Sequence, residues 1–318
     1  MTDAEVTAHR KVLIVGMDGL RFDRLTRCPA TAPVLHGLMT AGAHGTSLLP
    51  YGRAEDGPSA GTAYTDSGPG WSSVLTGVWP DRHGVTGNDF LGADYTRYPD
   101  FLSRAATARP ALRTAAVVSW PELVDRGVLG AAIGRRVRHD GESDGYETAD
   151  RLVADTAAHW LTEDDPDALF VYFGATDEAG HATGPLSPAY DRALLAQDAH
   201  LGRLLETIDA RRACEHWTVL VTTDHGHLDT GGHGGDTRAE REVFVILAEP
   251  GMPGTLAEPG MPGTLAEPGM PGGTRLDSPR LIDIAPTVLD RLGIPVDPAW
   301  GLQGRALPRP TAPTPEWS

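Results

Sequence analysis

The side chains in this sequence best suited to holding divalent cations come in short clusters: Asp177-Glu-Ala-Gly-His181, Asp224-His225, and His233 inside Gly231-Gly-His-Gly-Gly235. Asp18 stands far upstream, at the end of an apolar run. Mixed Asp and His ligands suit Zn2+, and also Mn2+ or Fe2+. An acid and an imidazole four residues apart, across a turn containing Gly, can face one ion. Adjacent Asp224 and His225 can both be presented where a strand ends and the chain turns. Glycines around His233 let backbone approach an ion or a phosphate. Any one cluster is weak in a chain of 12 histidines, but together they point to metal-assisted hydrolysis or transfer.

A nucleophile for such chemistry stands in Thr65-Asp-Ser67-Gly-Pro-Gly-Trp71-Ser-Ser-Val-Leu-Thr-Gly77. Pro69 suits the first turn of a helix, expected over 69–75. Ser67 then lies at a helix N-terminus, where unpaired N–H groups and the dipole favour a phosphate or an alkoxide. The plainer alternative is an ordinary Ser N-cap. Ser72 and Ser73 fall within the helix and are expected to pack there.

Three segments must position these groups. Lys11-Val-Leu-Ile-Val-Gly-Met17 ends at Asp18, Ala168-Leu-Phe-Val-Tyr-Phe-Gly-Ala-Thr176 ends at Asp177, and Trp217-Thr-Val-Leu-Val-Thr-Thr223 ends at Asp224. Near-continuous apolar runs of this length mark strands buried on both faces of a parallel sheet. Runs at 114–118 and 242–247 suggest two more. Helical spacing is expected over 149–161, 188–208 and 281–292, the last with Pro286 near its first turn. Alternating strands and helices predict the α/β class: a doubly wound, mostly parallel central sheet with helices on both faces. Ligands there bind at the carboxyl ends of strands, so the three aspartates converge on one edge.

The full length is 318 residues, and 1–310 reads as a single catalytic domain with a small irregular cap segment at 89–145. A nonapeptide, Leu247-Ala-Glu-Pro-Gly-Met-Pro-Gly-Thr, recurs at Leu256 and again, with a final Gly, at Leu265. Its Pro and Gly density predicts an extended loop over 248–273, read as a duplication in a tolerant surface loop. Residues 311–318 form a Pro-rich tail. The formal net charge of −16 disfavours nucleic acid and anionic membranes as partners. Bound cations can reverse that sign locally for a small anionic substrate. Cys28 and Cys214 form neither a disulfide framework nor a metal pair. The short run 12–15 is neither a signal core nor a membrane span, so a cytoplasmic location is the expectation.

The motifs also match a known group in order and separation. Met17-Asp-Gly-Leu-Arg21, Pro69 to Gly84, Asp177-Glu-Ala-Gly-His181, Thr223-Asp-His-Gly226 and Gly232-His-Gly234 resemble the alkaline phosphatase superfamily, in its nucleotide pyrophosphatase/phosphodiesterase branch. The resemblance runs from Val12 to about Val245 and includes Asp283-Ile-Ala-Pro-Thr-Val-Leu289 as a C-terminal helix. It implies an alkaline-phosphatase-like fold with two divalent ions, most readily Zn2+. One would be held by Asp177, His181 and His233, the other by Asp18, Asp224 and His225, with Ser67 as nucleophile and ligand. It also implies that Asn88 binds a phosphoryl oxygen, together with a backbone N–H near Ser67 or Gly68. Where many members of this branch have Thr-Phe-Pro-Asn, this chain has Ser67-Gly-Pro-Gly70, so the phenyl ring at the substrate entrance is lost.

These residues predict hydrolysis of a phosphodiester or nucleotide pyrophosphate bond in a small substrate, a nucleotide among the candidates, through a seryl-phosphate intermediate. A phosphomonoesterase or phosphonate hydrolase, a phosphomutase or phosphotransferase, and a non-catalytic binding protein are the alternatives. A monoesterase needs a cation for the extra negative charge, and only Arg21 offers one; Arg21 is equally suited to pairing with an acid. His83 and His227 are expected to have structural or hydrogen-bonding roles. His36, His44, His159, His200 and His216 are expected to be solvated, and Trp71 and Trp79 to pack in the core.

Overall fold

The computed structural model describes residues 9–27, 29–53, 56–211, 215–249 and 273–309. Most of the nonapeptide repeat, the Pro-rich tail, Cys28 and Cys214 lie outside the described residues. Eight strands form one sheet: β1 (His9–Met17), β2 (Ala43–Leu48), β3 (Thr114–Val118), β4 (Arg135–Arg138), β5 (Ala168–Phe173), β6 (Glu215–Thr222), β7 (Glu242–Ala248) and β8 (Thr274–Arg275). Their order is β4-β3-β5-β1-β6-β7-β2-β8. The block β4-β3-β5-β1-β6 is parallel throughout, and β7 runs antiparallel to both β6 and β2. Strand β1 is central, with Val12 opposite Ala168 on one side and Thr218 on the other.

Seven helices of eight or more residues lie among the described residues: α1 (Pro33–Ala41), α2 (Ser67–Thr76), α3 (Phe101–Ala108), α4 (Tyr146–His159), α5 (Ala175–Thr183), α6 (Pro188–Asp209) and α7 (Ile284–Arg291). The two-residue period of β1 assigns them to faces. Val12 and Ile14 join α2, α3 and α7 in one core cluster, and Leu13, Val15 and Met17 join α1, α4 and α6 in the other. Helices therefore cover both faces, as the apolar runs require. Gly16 breaks the run where the Trp71 ring crosses β1: a Cβ there would lie 2.4 Å from the indole.

Three strands carry no sequence signal. β4 is an exposed to half-buried edge of Arg-Arg-Val-Arg, without an apolar run. β2 contains Gly45, where a Cβ would meet the Leu276 carbonyl at 2.3 Å. β8 is only two residues long. Segment 89–145 thus supplies sheet strands β3 and β4 and the core helix α3, and the turns and short helices after β3 and β4 are the parts of it that border the site. The expected loop at 248–273 begins later, because Ala248 is the buried last residue of β7. Helix 281–292 is a 3-10 turn, Leu281–Asp283, followed by α7, which places Pro286 in the first turn. No helix among the described residues is long and apolar enough to cross a membrane.

Candidate active site

The carboxyl ends of β1, β5 and β6 deliver the three aspartates differently. Asp18 follows β1 directly, its N–H bonded to the Phe173 carbonyl at 3.0 Å. Asp224 follows β6 after Thr223, whose hydroxyl accepts from Leu20 N at 3.0 Å and so ties the two strand ends together. Asp177 corrects the strand-end expectation: β5 stops at Phe173, and Asp177 is in the first turn of α5. The cause is a distant acid. Buried Asp150 accepts from Gly174 N at 2.9 Å, Ala175 N at 3.0 Å, Ser119 Oγ at 2.6 Å and Gln197 Nε2 at 2.9 Å, which fixes the start of the helix. Asp177 and His181 are consequently helical neighbours four residues apart rather than residues flanking a turn.

The six acids and imidazoles gather into two groups, Asp177/His181/His233 and Asp18/Asp224/His225, each with ligand atoms within 4.8 Å of one another. In the first, His181 Nε2 lies 3.4 Å from Asp177 Oδ2 and 3.0 Å from His233 Nε2. In the second, His225 Nε2 lies 3.4 Å from Asp224 Oδ2 and 3.6 Å from Asp18 Oδ1. The groups adjoin, since the His225 and His233 rings stack with centroids 3.8 Å apart.

The donor set fits cations on three counts. His225 Nδ1 donates to the Gly226 carbonyl at 3.0 Å and His233 Nδ1 to the Thr65 carbonyl at 2.7 Å, which turns both Nε2 lone pairs toward the carboxylates. Asp18 Oδ1 and Asp224 Oδ2 are buried with no hydrogen-bond partner, an arrangement that costs free energy unless a cation faces them. The titration behaviour agrees. Burial and then the Asp177 charge push Asp18 up to about 6, and burial with the charges of Asp18 and Asp177 pushes Asp224 well above the carboxylate range. Burial holds His225 and His233 down at about 4, in the neutral form that ligates. Asp177 is also buried, yet hydrogen bonds from His181 and His227 keep it below the usual carboxylate range.

Both the Tyr172 hydroxyl and Trp71 Nε1, the latter at 2.8 Å, donate to Asp18 Oδ2, leaving Oδ1 for the ion. Such outer partners usually contribute 10- to 100-fold to metal affinity. Tyr172→Phe keeps the ring in the core and is expected to weaken metal binding by roughly that factor. Titration of metal-free protein checks this; an unchanged dissociation constant rejects the positioning role.

Ser67 is the first residue of α2, and the N-cap is Asp66, so Ser67 is not an N-cap. Its Oγ lies 3.2 Å from His225 Nε2. Ser72 and Ser73 bond back to the Gly68 and Pro69 carbonyls, as expected inside the helix. Asn88 Oδ1 accepts from Gly68 N at 2.7 Å. That bond occupies the Gly68 N–H expected to face a phosphoryl oxygen and leaves Asn88 Nδ2 and the Ser67 N–H for that task.

Arg21 pairs with Asp23 and Asp229 at 2.8 and 2.5 Å and does not line the cavity beside the two groups. His227 is fully buried and donates Nε2–H to Asp177 Oδ1 at 2.8 Å; with Asp177 and His225 it makes a third group of ligand geometry. Gly180 admits this ring into the helix: a Cβ there would meet His227 Nε2 at 2.7 Å. His83 is buried against Ser73 Oγ at 3.0 Å, a structural role. His44 is also buried, contrary to expectation, because it lies on β2 under Met39. Trp71 and Trp79 are in the core. Sequence patterns missed a cavity of about 550 Å3 beside the two groups, whose walls include Trp120, Glu122, Arg126, Glu142, Tyr146 and Glu178. Two signals pointed near it without naming a residue: the expectation that ligands lie beyond carboxyl strand ends, and the cap segment expected at 89–145, which holds Trp120, Glu122, Arg126 and Glu142.

A family model described as type I phosphodiesterase / nucleotide pyrophosphatase matches residues 12–236. An uncharacterized pyrophosphatase/phosphodiesterase of Schizosaccharomyces pombe is 27% identical over 233 residues, covering 69% of this chain and 45% of its own. Ectonucleotide pyrophosphatase/phosphodiesterase family member 7 of Homo sapiens is 34% identical over 109 residues, 34% of this chain and 24% of its own. The chain thus spans less than half the length of these curated relatives. Among solved structures, the phosphonate monoester hydrolase of Silicibacter pomeroyi shares the fold, with a TM-score of 0.60 and 14% identity over 93% of this chain and 75% of that one. With the family model matching well over half its length, this chain belongs to the type I phosphodiesterase/nucleotide pyrophosphatase family, in the alkaline phosphatase superfamily.

Proposed function

We propose that the protein is a two-metal hydrolase that cleaves a phosphodiester or nucleotide pyrophosphate bond of a small substrate, with Ser67 as nucleophile. The supporting observation is the position of Ser67 Oγ, 3.2 Å from His225 Nε2, on the wall of a cavity lined also by Asp18, Asp177, His181 and His233. Divalent ions, Zn2+ by ligand type, would lower the hydroxyl pKa and neutralise charge on the departing oxygen. Asp177, His181 and His233 would hold one ion, and Asp18, Asp224 and His225 the other. Ser67 Oγ attacks phosphorus as the bond to the leaving oxygen opens on the opposite side, giving a seryl-phosphate ester. Water then attacks that ester, returns the hydroxyl to Ser67 and releases the second product. Asn88, its carbonyl oxygen tied to Gly68, presents Nδ2 to a non-bridging oxygen. Asn88→Ala is expected to lower kcat by about 10²-fold or more with little change in metal content, measured by steady-state assay and elemental analysis. An unaltered kcat removes Asn88 from the mechanism.

Arg126, the arginine of the cavity wall, favours a second reading, a monoesterase or phosphonate hydrolase that needs an extra cation. Glu122, Glu142 and Glu178 on the same wall outweigh it and disfavour a dianionic substrate. Parallel assays on 4-nitrophenyl phosphate and bis(4-nitrophenyl) phosphate decide between them: a higher kcat/KM on the diester is expected, and the reverse order establishes the monoesterase.

A further inference from the structure

We infer that Thr176 and Gln197 are positioning residues that set the spacing of the two ion groups, as links in a buried hydrogen-bond chain from Asp150 on α4 to the backbone of Asp18. The inference rests on the two-metal hydrolase reading and adds the residues that hold the two halves of its site in register.

Asp18 and Asp177 belong to different groups, yet the segments that carry them touch. A Cβ on Gly19 would lie 2.6 Å from Asp177 Oδ1, so no side chain there can act as a spacer. Hydrogen bonds set the approach instead. Thr176 Oγ, on the residue before Asp177, donates to the Asp18 carbonyl at 2.7 Å. The Asp18 N–H is held by the Phe173 carbonyl at 3.0 Å, so both polar backbone atoms of this ligand residue are gripped. Gln197 Oε1 lies 3.1 Å from the same threonine hydroxyl, whose one proton is shared between the two acceptors. Gln197 Nε2 donates to Asp150 at 2.9 Å, which fixes the orientation of the amide, because a carboxylate only accepts. Asp150 in turn holds Gly174 N and Ala175 N at the start of α5. One turn pair earlier on α6, Tyr190 donates to the Gly19 carbonyl at 2.7 Å and accepts from Arg21 N at 2.8 Å. Helix α6 thus holds the turn after β1 and the start of α5 at the same time.

The helices do not need these polar groups in order to cohere. Val153, Ala157, Leu194 and Leu201 already join α4 and α6 in one apolar cluster. Thr176, Gln197, Tyr190 and Asp150 are all buried, and burial raises Asp150 to about 6 despite its donors. A carboxyl raised in this way destabilises the fold at neutral pH, where it is ionised. A polar chain retained against that penalty, and ending on a ligand residue, specifies a geometry rather than stability. Geometry matters because a misplacement of about 1 Å near a reacting centre costs on the order of 100-fold in rate.

Thr176→Val removes the hydroxyl and keeps the shape, whereas Thr176→Ser keeps the hydroxyl. Electron paramagnetic resonance of the protein loaded with Mn2+ in both groups reads the spin–spin interaction of the ions, which falls steeply with their separation. Thr176→Val is expected to change that interaction with metal content intact, and to lower kcat about ten- to hundredfold with KM within about threefold of native. Thr176→Ser should return both readings close to native. Gln197→Met breaks the chain one step back and should move the spectrum likewise, so the test survives a Thr176→Val that fails to fold. Thr287→Val is the control: its buried hydroxyl serves Asp283 and Leu307 on α7, and its loss should lower the melting temperature without moving the spectrum. A native spectrum in Thr176→Val and Gln197→Met, no rescue by serine, or an equal change in Thr287→Val overturns the inference. Spectra that move as expected in a protein that cleaves no phosphate ester leave the positioning role standing and reject the hydrolase reading instead.

Discussion

Ser67→Ala is expected to lower diester kcat/KM on the order of 10⁴-fold while metal content and fold persist, because the nucleophile of a covalent route has no substitute nearby. The variant isolates chemistry from structure. Ser67 opens α2 but does not cap it, and alanine is the stronger helix former, so no stabilising contact of the helix is lost. Its Oγ contact is to His225, whose ring is independently held by Nδ1 on the Gly226 carbonyl. Acid quench of the native enzyme with a radiolabelled diester should trap label on Ser67, and the variant should trap none. Ser67→Thr keeps the hydroxyl and should retain measurable turnover. Full activity in Ser67→Ala means that water attacks directly and that the serine is incidental.

How far the site was legible depends on how local its causes are. Asp18 and Asp224 were readable because β1 and β6 carry near-continuous apolar runs, and such runs allow little besides buried parallel strands. Asp177 was placed at the right edge but on the wrong element. Its helix begins where it does because Asp150, on a different helix, accepts from Gly174 and Ala175, a contact that no local pattern announces. The same holds for His227, whose partner Asp177 is 50 positions away and whose space is made by Gly180. The parallel core and its two covered faces followed from periodicity, but the arginine-rich edge strand β4 did not, because an exposed edge needs no apolar signature. Without β4 the wall of Glu142 and Tyr146 had no position.

The second large effect concerns stability. Removing metal is expected to lower the midpoint of thermal unfolding by roughly 10 °C, taking about 4 kcal/mol for a native-only ligand at a thousand times its Kd and about 2–4 °C per kcal/mol for a domain of this size class. The origin is the buried trio of Asp18, Asp177 and Asp224, whose mutual repulsion only cations fully offset. Asp224→Asn separates this from a general loss of structure, because its two effects have opposite signs. The amide oxygen can still accept from Gly19 N, now 3.3 Å from Oδ1, and the new NH2 faces the His225 Nε2 lone pair, now 3.4 Å from Oδ2. The metal-free variant should therefore unfold at a higher temperature than metal-free native protein, because an orphaned buried acceptor is replaced by a paired donor. Added Zn2+ should then stabilise the variant much less than the native protein, because the Asp18/Asp224/His225 group has lost an anionic ligand. Calorimetry of both proteins, with chelator and with Zn2+, reads all four states. A chelator-insensitive native midpoint, or a metal-free Asp224→Asn less stable than its parent, would show that these carboxylates are not held together for cations.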